Sequence, residues 1–277
     1  MAMRGTILVI GGLMWLAGCG GGSDKDANGS AAGDAPSGEE AAGEAAAPAV
    51  EKADLDCGKF KPQTAPEGQA ADDIVGLRQG MSEEQVRGVL LCKNPSYAIN
   101  VSKSSTSLPD GGRMSRINLY ADTGLDKVNV WLIGPPDGER LVHVDRTNEY
   151  PAGKELPVAN IAQEVSAKYG AFDDSSYGNQ RSGWIIRSRD GQRMANGNMS
   201  YSECRSHNIR TDKVLPCLHA ISYEVMPNQQ NPALAARFSV GLTSFAMMTQ
   251  MAMATQAQQA KAVERAQESA DEKDLDL

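Results

Sequence analysis

Three histidines, five cysteines and two carboxylate pairs are the parts of this 277-residue chain with chemistry to offer. Nucleophilic catalysis needs a hydroxyl or thiol placed beside an imidazole. His143, His207 and His219 have no Ser or Cys partner at any motif spacing. A zinc site would show Cys-x-x-Cys or paired histidines, and neither is present, so no metal ligand is assigned. Gly-x-Ser-x-Gly, His-Glu-x-x-His, the phosphate-binding loop and the dinucleotide glycine fingerprint are all missing. Asp173-Asp174 and Asp122…Asp126 have the composition of an acid–base or calcium pair. They sit among Gly, Ser and Thr, and solvated turn residues are the better reading. His143 alternates with Val142 and Val144 and is expected on the polar side of a strand. His219 shares a face with Ile221 and reads as a core histidine. Trp131 and Trp184 read as packing residues rather than a ligand platform. No catalytic residue and no cofactor follow from these patterns.

The fifth cysteine has a different setting. Arg4 is followed by an apolar run from Ile7 to Leu16, then Ala17, Gly18 and Cys19. A positive start, a short apolar stretch and a small-residue cleavage site make a secretory leader, too short to span a bilayer at about 20 residues. Leu16-Ala17-Gly18-Cys19 resembles a bacterial lipobox. The competing reading is an ordinary secretory signal with an incidental cysteine. The resemblance implies a signal peptide over residues 1–18, lipidation of Cys19 and a firm membrane anchor, since two or more acyl chains hold stably. Gly20 in place of Asp implies the outer membrane, with the protein facing the periplasm.

Four cysteines then remain, an even number suited to an oxidising compartment. Three pairings are open. Nearest neighbours give Cys57 with Cys92 and Cys204 with Cys217, each worth about 3–4 kcal/mol in the loop-entropy description.

Residues 19–54 are Gly, Ala, Ser, Pro, Asp and Glu with almost nothing apolar to bury. Such composition predicts a disordered tether with a reach of roughly 30–35 Å. Loss of the leader takes the 27 basic residues to 26 against 35 acidic, a net charge of −9. That balance, with no basic patch interleaved with aromatics, excludes a nucleic-acid partner.

The folded part is expected over 55–243, in two candidate halves, 55–150 and 151–243. Ser82 and Gln85 form a capping box, with Met81 and Val86 at the staple positions. Val86, Val89 and Leu90 then recur at helical spacing, predicting a short helix that ends near Cys92. Leu77…Gly80-Met81-Ser82…Gln85-Val86…Leu90-Leu91 resembles the opening helix of the SmpA/OmlA (BamE-like) lipoproteins. Cys92 stands where that pattern has Gly, and Pro95 comes later than it does there. The resemblance covers about 20 residues and implies a small α+β module that associates with outer-membrane assembly machinery.

Period-2 alternation predicts strands at Ser115–Asp122, Asp126–Gly134 and Arg140–Arg146, forming an antiparallel meander. Val158, Ile161, Ala162, Val165 and Tyr169 mark a second helix, with Pro157 as its first residue and Gly170 after its end. Strands follow from Gly183, Cys217 and Ala236. The fold class is therefore α+β, with short helices on antiparallel sheet in two related halves.

Residues 244–277 predict a long C-terminal helix, crowded with methionine at first and polar and fraying later. Phe245, Met248 and Met251 are the candidate partner surface, since Met-rich faces adapt to varied partners; the competing reading docks one face of the helix on the strand ending near Thr243. The functional expectation is a non-enzymatic envelope lipoprotein that binds a protein partner or supports an assembly. The alternative is a periplasmic small-ligand or enzymatic module whose site is assembled in three dimensions.

Overall fold

The computed structural model describes residues 55–60, 72–108, 112–177, 180–197, 199–205 and 214–274. The leader, Cys19, the rest of the 19–54 stretch and His207 lie outside the described residues.

Alternating apolar side chains give the chain a face to bury, and strand after strand adds to one sheet. β1 (Ala98–Ser107), β2 (Arg113–Asp122), β3 (Asp126–Gly134) and β4 (Arg140–Glu149) run as an antiparallel meander. β5 (Leu156–Pro157) is a two-residue strand, and β6 (Asp173–Tyr177), β7 (Gln180–Ser188), β8 (Cys217–Pro227) and β9 (Leu234–Ser244) form a second meander. The two meet at β4 and β9, which pair antiparallel, so the sheet order is β1-β2-β3-β4-β9-β8-β7-β6, with β5 on β9. The fold is α+β, as its patterning predicts.

Both edge strands escape that patterning. β1 is AINVSKSSTS, with only Ile99 and Val101 apolar toward the core, and β6 is DDSSY, with no apolar face to read. Edge strands favour polar, charged sequence because their outer hydrogen-bonding groups face water. Asp173 and Asp174 are thus strand residues, not turn residues, and both are bonded: Asp173 accepts from Arg193 and Tyr201, Asp174 from Tyr223. Asp126 is likewise no solvated turn residue. It accepts from Tyr97 Oη at 2.6 Å and from two Arg146 nitrogens at 2.8 and 2.9 Å.

One face of the sheet buries Ile117, Leu119, Val128, Val130, Leu132, Val144, Ile221, Val225 and Leu242 beneath two helices. α1 (Glu83–Lys93) begins with the capping box: Gln85 N donates to Ser82 Oγ at 3.3 Å, and Ser82 N donates to Gln85 Oε1 at 2.9 Å. Its entry is pinned to β4 by Gly80 N donating to Leu141 O and Leu141 N donating to Met81 O. The Cys57–Cys92 disulfide fastens residues 55–60 to the end of α1. Phe60 then lies against Gly88, where any Cβ would overlap the ring. α2 (Val158–Tyr169) buries Val158, Ile161, Val165 and Tyr169; Pro157 is its N-cap, one residue earlier than the first-position reading.

The opposite face carries a second core. α4 (Phe245–Asp274) packs on β2, β3, β4 and β8. The short α3 (Met199–Glu203) leads into the Cys204–Cys217 disulfide, and both bridges follow the nearest-neighbour pairing. Phe245, Met248 and Met251 are 2%, 1% and 8% exposed. They are core rather than partner surface, because the apolar stripe of α4 turns inward onto Ile133, Val142 and Ala220. The polar half continues the same helix to Asp274, with residues 260–270 exposed on all sides. Among the described residues no helix is long and apolar enough to cross a membrane.

Candidate functional site

The α4 face of the sheet is covered at one end by apolar side chains and left polar at the other. Strand register lines up its side chains in rows. One row runs Asn129, Asp145, Gly241, Ser222, Trp184 and Asp173 from β3 to β6. The next runs Lys127, Thr147, Ser239, Glu224, Ser182 and Ser175. On the α4 side of both lie Trp131, His143 and Thr243. The stretch of the first row from Asp145 to Trp184 and of the second from Thr147 to Ser182, with Trp131 and His143, bounds an open trough of about 430 Å³ over five strands, with Trp131 and Trp184 at its flanks. At about 4.8 Å per strand, the flanking strands stand roughly 19 Å apart.

The trough floor is low because Gly241 sits at its middle. A Cβ there would meet Ser222 Oγ at 3.4 Å and Asp145 Cβ at 3.5 Å, ordinary contacts, so glycine here leaves depth rather than relieving a clash. Asp145 Oδ1 accepts from Asn129 Nδ2 at 3.0 Å and faces His143 Nε2 at 3.2 Å. Thr147 and Ser239 hydroxyls pair at 2.9 Å, and Glu224 accepts from Arg237 at 3.4 Å. Both tryptophans carry a guanidinium: Arg116 lies 4.7 Å from the Trp131 ring centroid, and Arg205 5.6 Å from that of Trp184. The His143 ring lies against Trp131, centroids 4.3 Å apart and planes tilted by 37°. On the other face of the sheet, burial pushes the Tyr223 hydroxyl up to about 12, and its bond to Asp174 adds to the shift, so it stays protonated.

Thr243, His143 and Asp145 have the hydroxyl–imidazole–carboxylate order of a nucleophilic triad, with Thr243 Oγ1 at 2.8 Å from His143 Nδ1. The arrangement is inverted with respect to solvent. Thr243 is 0% exposed and His143 3%, while Asp145 faces the trough. A nucleophile must reach its substrate; this hydroxyl is sealed, and the imidazole acts as a strut between two strands. His143 does lie on the polar side of β4, yet it is buried.

His219 belongs to a separate cluster on the helix-covered face. Its Nε2 lies 2.6 Å from Asp72 Oδ2, which also accepts from Arg187 at 3.3 Å. His219 Nδ1 is buried with no hydrogen-bond partner. On that same face a cavity of about 530 Å³ is lined by Phe60, Val75, Val89, Lys93, Arg146 and Lys168. Its arginine is committed to Asp126 and Lys168 to Asp73, so it offers less than the trough. Among the described residues no group of three or more His, Cys, Asp or Glu side chains is placed to hold a metal.

Asp145, Ser222, Glu224, Ser239 and Gly241 carry no sequence signal. They converge because strands distant in the chain pair in one register. No family model, curated protein or solved structure matches this chain.

Proposed function

We propose that this chain is a lipid-anchored, periplasm-facing binding protein of the outer membrane, without enzymatic activity, and that the trough is its recognition surface. The convergence of Asp145, Ser222, Glu224, Ser239 and both tryptophans on one uncovered stretch of sheet carries this reading. Small-ligand sites are concave and combine aromatic walls with a few placed polar groups. The leader directs export, lipidated Cys19 supplies the anchor and residues 19–54 the tether. Two disulfides suit an oxidising compartment. The burial of Thr243 supports binding rather than catalysis.

With the two-residue β5 and the short α3 set aside, each run is a helix followed by four strands, and the last strand of each run pairs with the other. That supports two related halves, 55–150 and 151–243, the first opening on the BamE-like helix. A second reading, capture of a protein partner, rests on the far half of α4, where Val263 is 57% exposed.

Two experiments test these statements. Cys19→Ser should move the protein from the membrane pellet to the soluble or unprocessed fraction; pelleting to the wild-type extent would remove the anchor. Affinity purification from membranes should lose its bound material with Gly241→Val and keep it when the chain ends at Gln256. The reverse pattern would favour the helix as the contact.

A further inference from the structure

Resting on the trough as the recognition surface, we infer that its ligand is a neutral saccharide chain. The charges in and around it are already matched. Glu224 has Arg237, Asp145 has Asn129 and His143, and the two indoles have Arg116 and Arg205. No lysine or arginine lines the trough itself, so it offers no electrostatic grip to a nucleic acid or another polyanion. The cation–π position on each ring is taken, which removes the main grip for an organic cation. A peptide in extended form would need a free strand edge, and the trough lies on interior strands whose backbone groups are paired on both sides. A lipid chain would need apolar walls, and the floor is Ser, Thr, Asp and Glu.

What the trough does present is a field of hydroxyls and carboxylate oxygens beside two indoles. A sugar ring answers both: its hydroxyls donate to carboxylates and exchange bonds with serine and threonine, and its C–H groups pack on those parts of the two indoles that line the trough beside their guanidinium partners. The glycine at the centre gives a ring room to sit against the sheet. The volume, about 430 Å³, suits a short oligosaccharide.

The chain has tryptophan at three positions, Trp15, Trp131 and Trp184. In the full chain carrying Trp15→Phe, indole fluorescence therefore reports on the trough flanks alone. Titration with a panel of neutral oligosaccharides, covering α- and β-linked hexoses and N-acetylhexosamines, should give a saturable change for at least one member. That change should survive an approximately tenfold rise in salt, since no ion pair is screened. Gly241→Val should weaken it about tenfold or more, as should Asp145→Asn, which keeps the shape should the valine disturb folding. Glu164→Gln, in a cavity on the other face, should leave it unchanged.

Silence across the panel overturns the saccharide class. If trilysine or triglutamate saturates instead, is weakened by salt and is lost in Gly241→Val, the ligand class falls and the trough stands. A saccharide response undiminished in both trough variants overturns the trough itself.

Discussion

At the scale of single residues, Asp72 ties the segment that enters the domain to strands β7 and β8. Burial alone would raise its carboxyl, but His219 and Arg187 outweigh that and hold it below its ordinary value. Removing one member of a buried charged cluster leaves the others unpaired, typically at a cost of several kcal/mol. Asp72→Ala would leave both nitrogens of the His219 ring without a partner, and a loss of about 3 kcal/mol is expected in urea unfolding at neutral pH. The sign of its pH dependence follows from the lowered pKa. The Asp72 contribution is complete above the ordinary aspartate range and fades as pH falls through the depressed folded-state value. The gap between wild type and Asp72→Ala should therefore close in strong acid; a gap as wide there as at neutrality would contradict the assignment. His219 was readable from alternation as a core histidine. Its carboxylate partner lies 147 residues away, beyond any local pattern.

At the scale of elements, α1 carries a glycine in its second turn at a cost of about 1 kcal/mol in helix propensity. Gly88 is kept by the approach of Phe60, which the Cys57–Cys92 bridge holds in place. Gly88→Ala should destabilise the wild type, because the new methyl drives the ring off the helix. In a Phe60→Ala background the same change should stabilise by about 1 kcal/mol, with only propensity left to act. Equal effects in both backgrounds, measured by thermal or urea unfolding, would refute this coupling. The elements most legible in the sequence are those with a buried face, such as the Ser82–Gln85 cap and the alternation at Val128, Val130 and Leu132. β1 and β6 were not legible, since strands at a sheet edge answer to solvent rather than to a core. The trough was hidden for a related reason. Its members are small or polar residues at outward positions of five strands, and register, not composition, brings them together.

At the scale of the whole molecule, α4 divides into a buried first half and an exposed second half, and truncation should separate them. Ending the chain before Phe245 strips Ile133, Val142 and Ala220 of their cover and should abolish cooperative unfolding. Ending it at Gln256 removes exposed turns and one bond, Gln259 Nε2 to the Arg113 carbonyl, and should shift the melting temperature by no more than about 2–4 °C. Collapse of the longer product would mean the distal turns are structural after all. The pairing of β4 with β9 has another consequence, in time rather than space. His143 and Thr243 meet across 100 residues of chain, whereas the two disulfides close loops of 35 and 13. Each disulfide can therefore form early, within its own half, while the first meander waits with the edge of β4 bare until residues 237–243 emerge. Such long-range closure makes for slow folding. A chain delivered amino end first would then pass through a half-built stage with a naked seam, where a chaperone, or a second half-built copy, has its chance to bind.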